Sequence, residues 1–140
     1  MSHNCQNLLL SCMDFRLQTT ISNWLKENGY TGDVDIILVP GSCKVLAENQ
    51  EGCQAGLILD GIRLAYEKHG VRRFILTQHE DCGAYGGQSA FASAEAEKIK
   101  HLIDLKKAKD LLLAKYQDIA VLMFLVIQVG EGWKLEQVSD

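Results

Sequence analysis

Two short segments decide how this chain folds: CMDFR at residues 12–16 and HEDCGAYGG at residues 79–87. Each segment follows an apolar run that predicts a buried strand, Leu8–Leu10 before the first and Phe74–Thr77 before the second. In open α/β sheets, ligands bind in the crevice outside the carboxyl ends of the strands. The two segments are therefore predicted to meet at one binding site.

The two segments together carry three side chains that are good zinc ligands, the thiols of Cys12 and Cys82 and the imidazole of His79. Three protein ligands with a fourth position left over are typical of a catalytic zinc site. Any one of these residues alone is more simply interpreted as a buried thiol or a loop histidine. All three at strand ends favour zinc.

Asp14 and Arg16 follow Cys12 at steps of two residues. If the chain stays extended, all three side chains point to the same face. The simplest interpretation of a neighbouring Asp–Arg pair is a surface ion pair, which contributes little to stability. The alternative is that Arg16 holds the Asp14 carboxylate ionised and aimed at the metal site.

Strands alternate with helices along the rest of the chain. The apolar patterns predict strands at Asn7–Cys12, Asp35–Val39, Val71–Gln78, Ile119–Gln128 and Trp133–Val138, and helices at Leu17–Asn28, Gly52–Lys68 and Ser93–Tyr116. This alternation predicts a single α/β domain over residues 1–140, with a mostly parallel central sheet of four strands and helices on both faces. The last strand follows a tight turn, which predicts an antiparallel edge strand.

Helical periodicity also predicts which residues face the core. The second helix is expected to bury Leu57, Ile58, Gly61, Ile62, Ala65 and Tyr66, and the third helix Ile99, Leu102, Ile103, Ala108, Leu111 and Leu112. A break within the third helix is an open alternative.

The composition argues against two classes of protein. The formal charge is −4 and no basic patch is visible, which disfavours nucleic-acid binding. The longest apolar run, Ile119–Ile127, is about half of what a membrane helix needs, and no secretory signal is visible, so we expect a cytoplasmic protein without a membrane span. In a reducing compartment, Cys5, Cys43 and Cys53 are expected to be surface or core thiols rather than disulfide partners.

The paired motifs resemble those of the β-class carbonic anhydrases, in which a Cys-x-Asp-x-Arg segment ends one strand and a His-x-x-Cys-Gly segment ends a later one. The resemblance implies that Cys12, His79 and Cys82 bind zinc and that Asp14 and Arg16 form the catalytic dyad. It implies reversible hydration of carbon dioxide to bicarbonate by zinc-bound hydroxide. It also implies a homodimer or a higher homo-oligomer.

The resemblance further implies that Asp14 can serve as a fourth zinc ligand in a closed state, when it is not paired with Arg16. Phe15, Gly83 and Tyr85 are candidates for the wall of an apolar substrate pocket, and core packing is the alternative for the two aromatic residues.

The chain departs from the family pattern at two places. The segment Val39–Cys43 stands where family members commonly carry Arg-Asn-Ala-Gly-Asn, and only eleven residues precede Cys12, which leaves no room for the usual N-terminal arm. Relatives of this type also hydrolyse carbonyl sulfide or carbon disulfide with the same zinc ligands, so such heterocumulenes are alternative substrates. A non-catalytic zinc or redox-sensing module is the alternative from another class.

Overall fold

A five-stranded mixed sheet forms the centre of the molecule. In this computed structural model, which describes residues 3–140, the strands are β1 (Asn7–Cys12), β2 (Val34–Val39), β3 (Arg73–His79), β4 (Ala120–Val129) and β5 (Gly132–Val138). The strand order is β2-β1-β3-β4-β5; β1 to β4 are parallel, and β5 is antiparallel to β4. The predicted fold class is confirmed.

Helices connect the strands. They are α1 (Gln18–Glu27), α2 (Lys44–Glu48), α3 (Cys53–Lys68) and α4 (Ala94–Lys115), with short 3-10 turns at Phe15–Leu17, Gly83–Tyr85 and Gln88–Ala90. The sequence did not predict α2, because five residues are too few to show a helical period. Within residues 3–140, no helix is both long and apolar enough to cross a bilayer.

The sheet is covered on both faces. On one face, Leu8 of β1 packs in a cluster with Ile62 of α3 and Leu105 of α4. On the other face, Leu9 of β1 packs with Ile21 of α1. A strand whose alternate side chains are buried on opposite faces must lie inside the sheet, and β1 is buried at all six positions.

Helix α4 buries only part of the face that was predicted. Ile99 and Ile103 were expected in the core, but they are 48% and 45% exposed. Ala108 and Leu112 are buried as predicted, and the other buried residues of the helix are Glu97, His101, Asp104 and Leu105. Apolar periodicity failed here because the polar side chains of Glu97, His101 and Asp104 occupy half of the inward positions. The helix runs unbroken for 22 residues, so the alternative of a break is wrong.

Helix α3 follows the prediction at most positions. Ile58, Ile62 and Ala65 are buried as expected. The prediction that Leu57 is buried is wrong, because this residue is 75% exposed. It lies at the edge of the apolar stripe, where a helical period alone cannot separate a core position from its neighbour.

Candidate metal centre

The site is built where two adjacent parallel strands end. Leu10 of β1 pairs with Leu76 of β3, so the carboxyl ends of the two strands lie side by side. Cys12 is the last residue of β1, His79 is the last residue of β3, and Cys82 follows three residues later. One ligand atom from each of these three side chains lies within 4.8 Å of the others, and all three residues are buried.

The two sulfurs form a coupled pair. Cys12 Sγ and Cys82 Sγ are 4.0 Å apart. The pKa of Cys12 is lowered because the Cys82 thiol donates a hydrogen bond to it, and the pKa of Cys82 is raised by the neighbouring Cys12 sulfur and by burial. One thiolate therefore forms readily, while a second negative charge needs a cation close by. Two sulfurs bound tetrahedrally to one zinc ion would lie about 3.8 Å apart, so the spacing fits this metal.

His79 is oriented so that one ring nitrogen is left over. Its Nδ1 lies 2.7 Å from the carbonyl oxygen of Glu80. A carbonyl oxygen only accepts hydrogen bonds, so Nδ1 carries the proton and Nε2 keeps a lone pair. That Nε2 atom is buried and has no hydrogen-bond partner within the described residues. A backbone carbonyl that fixes the histidine tautomer in this way is common behind metal-binding histidines.

Asp14 and Arg16 form a close ion pair beside these three residues. The chain does not stay extended after β1: Asp14 caps the following 3-10 turn, and its Oδ1 accepts from the backbone N–H of Arg16 at 2.9 Å. The guanidinium returns to the same carboxylate, with Nη2 at 2.7 Å from Oδ2 and Nε at 3.1 Å from Oδ1. Arg16 lowers the pKa of Asp14, which therefore stays ionised. Asp14 Oδ2 lies 3.8 Å from Nε2 of His79.

Arg16 also contacts two residues that the sequence analysis did not predict, in addition to Asp14. Nη1 donates to Oδ2 of Asp81 at 3.0 Å, and Nη2 donates to its carbonyl oxygen at 2.9 Å. The guanidinium carbon also lies 5.3 Å from the centre of the Trp133 ring. Asp81 stands inside the HEDC motif and so could have been found from the sequence. Trp133 lies on β5 and carries no such signal.

A cavity of about 700 Å³ opens above the ion pair and the metal-ligand cluster. Its polar wall comes from Cys12, Asp14, Arg16 and Asp81, and apolar side chains in the wall include Met13, Phe15, Pro40 and Ala84. Gly83, a candidate for the pocket wall, also lines this cavity. Phe15 lies at the surface of this region, with its side chain 86% exposed.

Tyr85 is absent from the wall of this cavity and packs against the core, which was the alternative for this residue. Its hydroxyl donates to Oδ2 of Asp104 at 2.6 Å and accepts from Nε2 of Gln78 at 3.0 Å. Lys100 Nζ bonds the other oxygen of Asp104 at 3.0 Å. His101 lies against the Tyr85 ring, with ring centres 4.7 Å apart. The tyrosine therefore anchors the loop after Cys82 to helix α4 rather than contacting a ligand.

The segment after β2 supports the ligand loop from the other side. Gly41 has a φ of +74°, and a Cβ there would lie 3.0 Å from Cβ of Ala84. A glycine satisfies both the backbone conformation and the close approach. The departure from the family pattern at Pro40–Ser42 thus lies at the rim of the cavity, where Pro40 forms part of the wall.

Comparisons with known proteins agree with this geometry. A family model described as "Putative carbonic anhydrase" matches residues 2–139. An uncharacterized protein of Rickettsia conorii is 29% identical over 99% of this chain and 74% of that protein. An uncharacterized protein of Rickettsia bellii is 28% identical over 99% of this chain and 84% of that protein.

Solved structures show the same fold. The β-carbonic anhydrase isoform I of Trichomonas vaginalis matches with a TM-score of 0.66 and 16% identity, over 98% of this chain and 85% of that chain. The β-carbonic anhydrase CafA of Aspergillus fumigatus matches with a TM-score of 0.56 and 18% identity, over 99% of this chain and 76% of that chain. These structures share the fold of this chain. Because the family model spans nearly the whole chain, the protein belongs to the carbonic anhydrase family that this model describes.

Proposed function

We propose that the protein is a zinc enzyme that hydrates carbon dioxide reversibly to bicarbonate. The observation that carries this proposal is the convergence of Cys12, His79 and Cys82 within 4.8 Å. The unpartnered Nε2 of His79 adds to it, since a buried nitrogen lone pair without a donor is rare unless a ligand satisfies it. The Asp14–Arg16 pair beside this cluster supplies the second half of the machinery.

In this proposal the three residues hold zinc through two sulfurs and one imidazole nitrogen, a ligand set found in catalytic zinc sites. When bound, zinc supplies a Lewis acid that makes water a nucleophile near neutral pH. Two thiolates donate more charge than neutral ligands do and weaken that Lewis acidity. We therefore expect activity to rise toward alkaline pH, and a rate already constant below neutrality would contradict the proposal.

Asp14 is proposed to orient the attacking water. An ionised carboxylate only accepts hydrogen bonds, so it fixes the direction of a water hydrogen and leaves a lone pair pointing toward the substrate. Arg16 keeps that carboxylate ionised and holds it in place with Nε and Nη2. The same pair of hydrogen bonds keeps Asp14 from serving as a fourth metal ligand, because a bidentate ion pair competes with coordination of the metal.

The cavity suits a small neutral substrate. Met13, Phe15 and Ala84 offer apolar surface next to the charged pair, and carbon dioxide carries no charge that would need a buried counter-ion. We propose Phe15 and Gly83 as contacts for the substrate. The same features would accept carbonyl sulfide or carbon disulfide, so the substrate must be decided by assay.

The deciding experiment is stopped-flow measurement of carbon dioxide hydration by zinc-loaded protein, followed by the same assay with carbonyl sulfide. Hydration of carbon dioxide that depends on zinc supports the proposal. Turnover of carbonyl sulfide alone would assign the hydrolase instead. A protein that binds zinc and turns over neither substrate would be a non-catalytic zinc or redox-sensing module.

We also propose that the chain acts as a homodimer or higher homo-oligomer. Met13 and Phe15 are 57% and 86% exposed at the cavity, and Ile36 and Leu38 of the edge strand β2 are 51% and 41% exposed. Exposed apolar groups of this kind often mark an interface. Light scattering should give at least a dimer at micromolar concentration, whereas a fully active monomer would refute the proposal.

Two further proposals concern the whole chain. One is that residues 1–140 act as a single zinc-binding domain, supported by the one sheet that joins all five strands of the described part. The other is a cytoplasmic location, supported by five free cysteines, which are typical of a reducing compartment. Zinc-dependent melting in one cooperative transition would support the first, and fractionation of cells would test the second.

A further inference from the structure

Arg16 is held by two carboxylates rather than by one. Its Nε and Nη2 face Asp14, while Nη1 donates to Oδ2 of Asp81 at 3.0 Å. Nη2 also donates to the Asp81 carbonyl oxygen at 2.9 Å. A guanidinium that pairs with one carboxylate can still swing with its flexible side chain. A second anchor at another nitrogen of the guanidinium fixes both its position and its rotation.

Asp81 is itself held in place by residues outside the ion pair. Its Oδ1 accepts from the backbone N–H of Gln88 at 2.8 Å, and its own backbone N–H donates to Oε2 of Glu97 at 3.0 Å. Glu97 lies on α4 and is only 2% exposed, so this bond ties the turn to the core. A Cβ at Gly87 would lie 3.3 Å from Oδ1 of Asp81, so the glycine leaves room for the carboxylate.

The backbone conformation of Asp81 is one that an aspartate adopts readily, so the residue type suits this position. Its φ is +56°, a left-handed conformation that Asp and Asn adopt more readily than most other residues. The turn lies between the two ligands His79 and Cys82, so the residue that places Arg16 also sits within the loop that carries Cys82.

We propose that Asp81 is a positioning residue for Asp14: it holds the Arg16 guanidinium where that group retains the Asp14 carboxylate and keeps it off the metal. This inference rests on the proposed function. Glu97 and Gln88 hold Asp81 in place. Asp81 then holds Arg16, and Arg16 holds Asp14. Asp81 acts on the orientation of the nucleophile and not on binding of the substrate. Its loss should therefore lower kcat and leave KM nearly unchanged.

The variant Asp81→Asn tests this with little disturbance of the fold. Asparagine also tolerates the left-handed conformation, and its amide oxygen can still accept from Gln88. The amide NH₂ then faces Arg16, donor against donor, so the side-chain anchor is lost and only the contact of Nη2 with the backbone carbonyl oxygen remains. Asp81→Gly serves as a second variant, because glycine favours this backbone conformation and removes the carboxylate entirely. Asp110→Asn is the matched control, since Asp110 pairs with Lys106 at 2.8 Å on the exposed face of α4.

The measurement uses protein loaded with cobalt(II) in place of zinc, titrated with thiocyanate and followed in the visible spectrum. Thiocyanate needs the position that a released Asp14 would occupy. In Asp81→Asn we expect an unchanged metal content, a thiocyanate dissociation constant raised at least about tenfold, and a kcat lowered by at least about tenfold. The double variant Asp14→Ala/Asp81→Asn should bind thiocyanate again as tightly as wild type. Asp110→Asn should behave as wild type in every respect.

The inference is overturned if Asp81→Asn and Asp81→Gly bind thiocyanate as wild type does, whatever happens to kcat. It is also overturned if a crystal structure of Asp81→Asn shows Arg16 still gripping Asp14. Neither readout depends on turnover. A wild-type protein that binds thiocyanate at the metal but does not hydrate carbon dioxide would refute the proposed function, while the comparison with Asp81→Asn would still decide the role of Asp81.

Discussion

Cysteine, histidine and aspartate side chains lie together at both ends of the sheet, but the two clusters differ in whether their polar groups have hydrogen-bond partners. Near the amino ends of β1 and β2, His69 Nδ1 lies 2.6 Å from Oδ2 of Asp35, and both side chains are 30% exposed. Cys5 donates to the carbonyl oxygen of Asn7 at 3.2 Å. The polar groups at this end are paired with one another and with the backbone.

At the carboxyl ends of β1 and β3 the same residue types remain partly unsatisfied. Nε2 of His79 is buried without a hydrogen-bond partner in the described residues. The sulfurs of Cys12 and Cys82 lie next to each other and interact mainly with one another. Within residues 3–140, only these three bring such ligand atoms within 4.8 Å of one another. The comparison shows that a candidate metal site is marked by several buried ligand atoms that converge without other partners, rather than by composition.

The largest effect should follow from removing a ligand at the carboxyl end. Cys12→Ser, His79→Ala and Cys82→Ser should each lose most of their zinc and retain less than about a thousandth of the activity. Their stability should also fall, because metal binding contributes to the free energy of folding. Metal analysis of the purified proteins and stopped-flow assays check this.

The controls come from the other cysteines and from the opposite end of the sheet. Cys5→Ser, Cys43→Ser, Cys53→Ser and His69→Ala should all keep full zinc content. Full zinc occupancy in the three ligand variants would show that Cys12, His79 and Cys82 do not form the zinc site.

The second prediction separates metal binding from catalysis. Asp14→Ala and Arg16→Ala should keep zinc and lose activity by at least about a hundredfold, because each removes the orientation of the nucleophile. They should differ in anion binding: Asp14→Ala leaves the fourth position open to thiocyanate, and Arg16→Ala frees Asp14 to occupy it. Near-normal turnover of Arg16→Ala, with its fourth position open in a crystal structure, would show that the pairing with Arg16 is unimportant.

The sequence was sufficient for the sheet and for the ligand cluster because both follow from short-range patterns. Apolar runs located the strands, and parallel strands bring their carboxyl ends together, which placed Cys12 near His79. It was not sufficient for α4, where Glu97 and Asp104 are buried against partners on other elements. Long-range partners of this kind leave no period in the sequence.

The third prediction concerns His101, one of the three histidines outside the metal cluster. His101 is 1% exposed, both ring nitrogens lack partners in the described residues, and burial lowers its pKa to about 4 from 6.5. It faces the rings of Tyr85 and Phe91, and the charges of Lys100 and Asp104 act on it.

The unfolded chain therefore takes up this proton first. Stability is unaffected above pH 6.5 and is lost as the pH falls from there toward 4. At pH ~5 the loss should be about 2 kcal/mol, since each unit of pKa shift is worth about 1.4 kcal/mol. Denaturant titrations of wild type and His101→Leu at pH ~7 and pH ~5 measure it. An equal change in both proteins would mean that His101 is not the group that titrates.

The smallest effect should come from the satisfied cluster at the amino end. The side chains of His69 and Asp35 are each 30% exposed and lie 2.6 Å apart, and pairs of this kind contribute between zero and about 1 kcal/mol, because water competes for the contact and two side chains lose freedom. His69→Ala should therefore lower the free energy of unfolding by less than about 1 kcal/mol, with zinc content and turnover unchanged. Asp35→Ala is the matched variant, and the double variant should cost little more than either one alone. A larger loss, or a loss of zinc, would mean that the two ends of the sheet are coupled through β1, and the contrast between a satisfied and an unsatisfied cluster would then need to be abandoned.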